Sequence, residues 1–153
     1  MMTHNMIKTI SKYSIQIINY WLENDVKKVL SPEALKNERA LEELKRISLE
    51  TITEGLRATG NRRIDETAYI HLGRCQYRLG IKPETTIQLK DQFEVSLMEF
   101  LYKLKEKGQI QHSEAELEEY FRELKALNNV VTPMILKGMK IEMKWEQENQ
   151  QTY

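Results

Sequence analysis

The sequence predicts an all-α protein. Its apolar residues recur at intervals of three and four, the period of a helix face, and not at intervals of two. Glu, Lys, Leu, Met, Gln and Ala, which all favour helices, dominate the segments between breaks. Most of the six glycines and three prolines lie at those breaks, and no Asn-Gly hairpin turn occurs. We therefore expect a single all-helical domain of roughly five or six helices over residues 1–153.

The first helix is predicted over residues 5–30, where no glycine or proline interrupts the apolar pattern. Its apolar stripe consists of Ile7, Ile10, Tyr13, Ile17, Ile18, Trp21 and Leu22. Ser31 and Pro32 follow directly. A serine N-cap with proline at the first helical position is typical of a helix start, so a second helix is predicted over residues 32–58.

The second helix also has an apolar stripe and ends near three helix-breaking residues. The stripe consists of Leu35, Leu41, Leu44, Ile47, Leu49 and Ile52. Gly55, Gly60 and Asn61 predict a frayed end. Asp65 then suits the N-cap of a third helix over residues 66–79, because its carboxylate can accept from a free backbone N–H.

A fourth helix is predicted over residues 83–107. Gly80 suits the left-handed position that ends the third helix, Pro83 suits the first position of the fourth, and Gly108 ends it. The core face of the fourth helix is predicted to consist of Ile87, Phe93, Leu97, Leu101 and Leu104.

The fifth helix is predicted from residue 114 to beyond residue 145. Ser113 and Glu116 have the spacing of a capping box at its start. Pro133 lies inside it and removes one backbone hydrogen bond, so we expect a kink. The polar residues 146–153 predict a frayed end. The inner side is predicted to consist of Leu117, Tyr120, Phe121, Leu124, Leu127, Val131, Met134, Ile135 and Met139.

Composition argues against several classes of protein. The 23 basic and 23 acidic residues cancel at pH 7, whereas nucleic-acid binders usually carry a basic excess. No stretch approaches the roughly 20 apolar residues of a membrane span, and residues 1–10 lack the pattern of a secretory signal. Cys75 is the only cysteine, which excludes an internal disulfide and suits a reducing compartment. We expect a cytoplasmic protein without a membrane span.

The sequence gives little support for catalysis or for a metal site. Neither His4 nor His112 is predicted to have a cysteine, histidine or acid at the spacing of metal ligands. No glycine-rich phosphate loop follows a strand. The acidic residues within 114–119 suit a solvated helix start, where negative charge complements the helix dipole. We therefore expect no enzymatic activity and no bound metal.

His71 leaves one alternative open, a histidine phosphotransfer bundle. Gly73 and Arg74 follow it on the third helix. In such a bundle a small residue gives the partner protein access, and a base stabilises the phosphoryl charge. The other interpretation is a histidine packed or hydrogen-bonded between helices.

Arg74 and Arg78 lie one helical turn apart, and His71, Cys75 and Arg78 share a face. If that face points inward, the arginines require an acid or an anion beside them, because an unpaired buried charge is costly. If it points outward, they are surface bases. We interpret Cys75 as a small core residue rather than a reactive thiol.

The segment QYRLGIKP, residues 76–83, resembles the end of the proximal helix in sensor globins. In that pattern a histidine is followed by x-Arg-hydrophobic-Gly-hydrophobic-x-Pro, and a long helix begins at the proline. Gln76 stands in place of the heme-ligating histidine, and glutamine is not a usual heme ligand. The chain thus resembles the non-heme globin sensor domains of Bacillus, especially the stand-alone sporulation-inhibitory proteins that resemble the sensor domain of a sporulation histidine kinase.

The resemblance implies a globin-like fold without heme. It also implies a homodimer in which the last two long helices of each subunit form a four-helix bundle. Members of this type hold a fatty acid in an apolar channel and a halide, such as chloride, in an inner chamber. The resemblance further implies that the protein inhibits sporulation by competing with a sensor histidine kinase for its signal.

The resemblance also suggests where these ligands would bind. A pocket that has lost heme is filled or closed, since empty volume costs about 24 cal/mol per Å³, and each buried methylene of a fatty acid contributes about 0.8 kcal/mol. The residues expected to line the channel are Leu72, Phe93, Leu97, Met134, Ile135 and Met139. The expected halide chamber consists of His71, Arg74, Gln76 and Arg78.

The dimer surface is expected to include Leu89, Val95, Tyr102 and Val130, on the outer faces of the last two helices. Besides phosphotransfer, two alternatives stay open. One is a true heme globin, and the other is a dimerisation module with a solid core and no ligand.

Overall fold

The computed structural model describes residues 4–61 and 64–151, and the all-α prediction is confirmed because these ranges contain helices and no strand. The α-helices are α1 (His4–Trp21), α2 (Lys27–Val29), α3 (Pro32–Lys36), α4 (Glu38–Asn61), α5 (Glu66–Arg78), α6 (Pro83–Glu106) and α7 (Glu114–Gln151). A π-helical turn, Leu22–Val26, joins α1 to α2. Within the described ranges, no helix has both the length and the apolar character needed to cross a membrane.

The predicted capping residues start α5 and α7. Asp65 Oδ1 accepts a hydrogen bond from the Thr67 N–H at 3.0 Å. The Glu116 N–H donates to Ser113 Oγ at 3.2 Å, and the Ser113 N–H donates to Glu116 Oε1 at 3.5 Å. These reciprocal bonds form the capping box that the spacing predicted. They fix where α7 begins.

Glycine ends α5 as predicted. Gly80 has a φ of 83°, and its N–H bonds the Tyr77 carbonyl at 2.9 Å while the Ile81 N–H bonds the Gln76 carbonyl at 3.1 Å. This pair of bonds is the Schellman motif, which requires a left-handed residue after the last turn. The turn directs the chain into α6 at Pro83.

The second predicted helix is broken. Asn37 Oδ1 accepts from the Ala40 N–H at 3.1 Å, so Asn37 acts as an N-cap inside the predicted range. It separates α3 from α4, and α4 then runs to Asn61, past the predicted end at residue 58. The first predicted helix also changes character, because it passes through the π-helical turn before it ends at Val29.

Three predictions of burial are wrong. Leu35 and Ile87, expected in the core, are 39% and 42% exposed. Leu35 lies on the short helix α3, which the break at Asn37 separates from the apolar stripe of α4. On α6 the buried residues include Thr86 and Leu89. Ile87, which lies between them in the sequence, falls on the exposed side of the helix. For the same reason Leu89, expected on the dimer surface, is buried.

The buried apolar residues form two clusters. The first joins the end of α1 and parts of α4, α5 and α7, and includes Ile18, Leu44, Leu72 and Ile135. The second joins the start of α1, the second half of α6 and the start of α7. Phe93 on α6 packs against both clusters.

Helices α5 and α7 touch through their backbones. A Cβ atom at Gly73 on α5 would overlap the carbonyl oxygen of Ile135 on α7. A Cβ atom at Gly138 on α7 would overlap the carbonyl oxygen of Ile70 on α5. Each helix therefore supplies a glycine against the backbone of the other. Because the obstacle is backbone, a change of side-chain rotamer cannot relieve the overlap.

We expect Gly73→Ala to destabilise the protein by about 1–3 kcal/mol or more, since α5 and α7 must separate to admit the methyl group. Urea denaturation followed by circular dichroism measures the free energy of unfolding. Gly55→Ala is the matched control, because this helical glycine faces the flexible Leu127 side chain at 3.1 Å rather than backbone. Equal stability of the two variants would contradict the close crossing.

Candidate functional site

A partly open cavity of about 100 Å³ lies among α1, α4, α5, α6 and α7. It is smaller than the roughly 150 Å³ engineered cavity that binds benzene in another protein. Members of both core clusters contribute to its walls. The apolar lining residues are Ile18, Trp21, Ile52, Leu72, Phe93, Leu124, Leu127, Val131 and Ile135.

An aromatic pair forms one wall of the cavity. The rings of Trp21 and Phe93 meet edge to face, with centroids 5.4 Å apart and planes at 86°. The Trp21 Nε1–H donates to the Leu89 carbonyl at 3.2 Å. This hydrogen bond holds the indole of Trp21, on α1, against α6, and its apolar ring faces the cavity. A buried tryptophan typically combines such a polar contact with apolar packing.

Polar groups occupy a second part of the lining. The Thr86 hydroxyl donates to Gln76 Oε1 at 2.7 Å, and both residues are buried. Ser48 is also buried, and among the described residues its Oγ has no hydrogen-bond partner. A buried hydroxyl without a partner is unfavourable, so a polar atom placed in the cavity would stabilise Ser48.

Tyr69 belongs to the same lining. Its hydroxyl donates to the Thr51 carbonyl at 3.3 Å. Burial raises the pKa of this hydroxyl far above its usual value, and the charges of Glu54 and Asp65 raise it further. Tyr69 is therefore neutral at physiological pH and contributes no charge to the cavity.

Lys90 is the one charged residue in the cavity lining that the structure describes. Its side chain is only 17% exposed, and its ammonium lies 3.5 Å from the exposed Asp91 carboxylate. Long lysine side chains typically bury their methylenes and keep the ammonium near water. The cavity thus combines mainly apolar walls with one amine.

The residues predicted to line an acyl channel do not all meet at this cavity. Leu72, Phe93 and Ile135 are in its lining. Leu97 belongs to the second cluster. Met139 is fully buried in the first cluster, with its Sδ 3.3 Å from the Thr86 hydroxyl, and Met134 packs against that cluster.

The residues predicted to form a halide chamber lie on two different sides of α5. Gln76 is in the cavity wall. Arg74 Nε and Arg78 Nη2 instead donate to Glu142 Oε1 on α7, at 2.7 Å and 2.8 Å. His71 Nε2 lies 3.6 Å from Glu43 Oε1 on α4. The four side chains therefore do not share one chamber.

The acid that the arginine pair required is Glu142. Its side chain is only 8% exposed, whereas the arginines are 41% and 45% exposed. Burial alone would raise the pKa of this carboxyl, but the hydrogen bonds from Arg78 and Arg74 outweigh it and hold the pKa below its usual value. Glu142 is thus charged and joins α7 to α5.

Cys75 lies in the first core cluster. Burial raises the pKa of its thiol to about 11, and the Glu43 carboxylate contributes to the rise. The thiol donates to Glu43 Oε1 at 3.6 Å. Cys75 is therefore protonated at neutral pH, as expected of a core residue rather than a reactive thiol.

Phosphotransfer at His71 requires a small neighbouring residue that gives a partner protein access to the imidazole. Gly73 is buried and provides room for the α7 backbone instead. Phosphotransfer is therefore the weaker of the hypotheses for this helix.

The expectation that His112 has no acidic neighbour is wrong. Its Nδ1 lies 3.1 Å from Glu116 Oε2, and its Nε2 lies 2.7 Å from Thr9 Oγ1. The hydrogen bond with His112 is the main reason that the pKa of Glu116 is lowered. His112 thereby joins the start of α7 to α1. The side chain of His4 lies outside the described residues.

Four residues with functional potential were not identified from the sequence: Ser48, Lys90, Glu43 and Glu142. The need of Arg74 and Arg78 for an acid was a signal for a carboxylate such as Glu142. Lys90 and Glu43 are ordinary members of charged helices, and only the packing of helices shows what they face.

Searches with protein-family models, among curated proteins and among solved structures found no match for this chain. Function is therefore inferred from the residues, their geometry and the resemblance of residues 76–83.

We expect Glu142→Gln to lower the free energy of unfolding at pH 7 by about 1–3 kcal/mol, because two charge-assisted hydrogen bonds are weakened. The pKa of Glu142 is lower in the folded state than its usual value of 4.5. Its stabilising effect is therefore full above that value and is lost as pH falls through the folded pKa.

Denaturation of both proteins from pH 7 to pH 3 measures this effect. The difference in stability between wild type and Glu142→Gln should shrink below about pH 4.5. Glu50→Gln is the control, because Glu50 pairs with Arg46 at an exposed position. A difference that stays constant with pH would show that the Glu142 charge is not what stabilises the contact.

Proposed function

We propose that this protein is a non-catalytic, signal-binding regulator that holds the acyl chain of a fatty acid in the cavity among α1, α4, α5, α6 and α7, with the carboxylate at Lys90. The observation that carries the proposal is a partly open cavity with mainly apolar walls and one amine in its lining. Small-molecule sites commonly combine apolar walls with a few placed polar groups.

The chemistry of the lining favours an amphipathic ligand over a purely apolar one. Each methylene buried in the apolar part contributes about 0.8 kcal/mol. A carboxylate beside Lys90 forms a charge-assisted hydrogen bond, and a ligand oxygen near Ser48 satisfies its unpaired hydroxyl. A ligand without polar atoms would leave both groups without these contacts.

The size of the cavity limits what it holds without rearrangement. At about 100 Å³ it accommodates a short acyl segment. Ile52, Phe93 and Leu127 in its walls are only partly buried, so these side chains can move toward solvent. We therefore propose that a longer acyl chain widens the cavity by displacing them.

The resemblance of residues 76–83 to sensor globins supports a globin-like fold without heme. Gln76 lies in the cavity wall, and its oxygen accepts from Thr86. On the same resemblance we propose that the protein competes with a sporulation sensor histidine kinase for a fatty-acid signal in the cytoplasm. A halide site is left out of the proposal, because Arg74 and Arg78 bind Glu142 instead.

Exposed apolar residues on the two long helices support the proposed homodimer. Val95 and Met98 on α6 are 53% and 39% exposed, and Val130 on α7 is 48% exposed. A four-helix bundle formed by α6 and α7 of two subunits would cover such residues.

We expect wild-type protein to bind fatty acids from a series between hexanoate and palmitate. Val131→Phe should bind them at least tenfold more weakly, because the added ring fills the cavity. Trp21 fluorescence reports binding, since Trp21 is in the cavity wall. Trp145, which is 60% exposed, is first replaced by Phe in all proteins. Extraction and mass spectrometry of the purified protein identify any fatty acid already bound.

Val29→Phe is the matched control, because Val29 is exposed on α2 and outside the cavity lining. The second part of the test is Lys90→Gln, with Lys137→Gln at an exposed position as its control. Lys90→Gln should weaken binding of the fatty acid about tenfold and leave the alcohol of equal length unaffected. No saturable binding by the wild type would refute the proposal.

We expect a homodimer in sedimentation velocity and a monomer when Val95 and Val130 are both replaced by Glu, because two charges would be buried in the interface. Ile15→Glu is the control, since Ile15 is 58% exposed and lies on α1, which is not one of the two helices of the proposed interface. A monomeric wild type at micromolar concentration, or a double variant that still dimerises, would contradict this interface.

A further inference from the structure

Three side chains of different chemistry meet between α4 and α5, away from the cavity lining. Glu43 comes from α4, and His71 and Cys75 come from one face of α5, four residues apart. One ligand atom of each, a carboxylate oxygen, an imidazole nitrogen and the thiol sulfur, lies within 4.8 Å of the other two. Glu43 Oε1 is 3.6 Å from His71 Nε2 and 3.6 Å from Cys75 Sγ.

These separations fit the ligand shell of a tetrahedral metal ion. Zinc lies about 2.0–2.3 Å from oxygen, nitrogen and sulfur ligands, so neighbouring ligand atoms of a tetrahedral site are roughly 3.3–3.7 Å apart. Both distances to Glu43 fall in this interval. The third separation, between the His71 nitrogen and the Cys75 sulfur, is at most 4.8 Å, and rotation of either side chain about its torsions can bring it into the same interval.

The positive charges nearest to the cluster have carboxylate partners elsewhere. Arg78 Nη2 donates to Glu142 at 2.8 Å, whereas its Nη1 is 3.9 Å from Glu43. Arg46 pairs with Glu50 at 2.6 Å. A cation at Glu43 would therefore replace the longer ion pair with Arg78 and the hydrogen bond from the Cys75 thiol, and would leave the contact between Arg78 and Glu142 intact.

We propose that Glu43, His71 and Cys75 bind a divalent ion of the zinc class, with the fourth position open to water. Thiolate and imidazole ligands favour zinc over magnesium or calcium. When the ion binds, a metal–sulfur bond replaces the S–H bond of Cys75 and the proton passes to solvent. Three protein ligands are the usual number in zinc sites that keep a water position. This inference does not rest on the proposed fatty-acid function.

The test uses Co²⁺ as a spectroscopic probe of the reduced, chelator-treated full chain. We expect one equivalent to give a thiolate-to-cobalt charge-transfer band and the intense d–d bands of tetrahedral coordination, and Zn²⁺ to displace it. Cys75→Ser should abolish the charge-transfer band. His71→Gln and Glu43→Gln should each weaken binding about 100-fold or more, a larger loss than typical outer-shell changes cause.

His112→Gln is the matched control, because His112 bonds to Thr9 on α1 and Glu116 on α7, not to the cluster between α4 and α5, and the change should leave cobalt binding unchanged. His71 and Glu43 are partly exposed, so their variants test the site even if Cys75→Ser fails to fold. Zn²⁺ should also raise the midpoint of thermal unfolding in wild type and not in these two variants. Cobalt spectra without a charge-transfer band, or equal binding by wild type and His71→Gln, would overturn the proposal.

Discussion

Gly73 on α5 lies against the Ile135 backbone and Gly138 on α7 lies against the Ile70 backbone, and the Glu142 ion pairs and the cavity both depend on this close crossing of two helices. The crossing holds α7 close enough for Glu142 to accept hydrogen bonds from Arg74 and Arg78. It also brings Leu72 and Ile135 into the wall of the same cavity. A wider crossing would alter the ion pairs and the cavity together.

Helix α5 serves two different environments through its two faces. Leu72 and Gln76 face the cavity, whereas His71 and Cys75 meet Glu43 of α4. The distribution follows from the helical period, since residues four apart share a face. A ligand in the cavity and an ion at Glu43 would therefore contact the same helix from separate sides, without sharing a residue.

Much of the fold could be predicted because its signals are local. Ser113, Asp65 and Gly80 mark helix ends through hydrogen bonds with residues a few positions away, and such bonds follow from sequence spacing. Asn37 was missed because a cap inside a continuous helical pattern competes with the apolar period. Ile87 was wrongly predicted to be buried because the apolar period alone does not fix, to within one residue, which side of a helix faces the core.

The candidate sites depend on contacts between distant segments, which spacing within one helix does not contain. Leu72, Phe93 and Ile135 were predicted together because apolar inward residues converge in any helical core. Lys90 and Glu43 look like other charged surface residues of their helices. Their roles arise only when α6 lies beside the cavity and α4 lies beside α5, so tertiary packing had to be known.

The glycine crossing restricts how the sequence can diverge. An overlap between two side chains can be offset by a smaller partner, so such positions change in pairs. At Gly73 and Gly138 the opposing atom is a main-chain oxygen, which no substitution removes. In a related protein that keeps this packing, no second substitution can compensate for the loss of either glycine. Each of the two positions should therefore remain glycine while the surrounding residues vary.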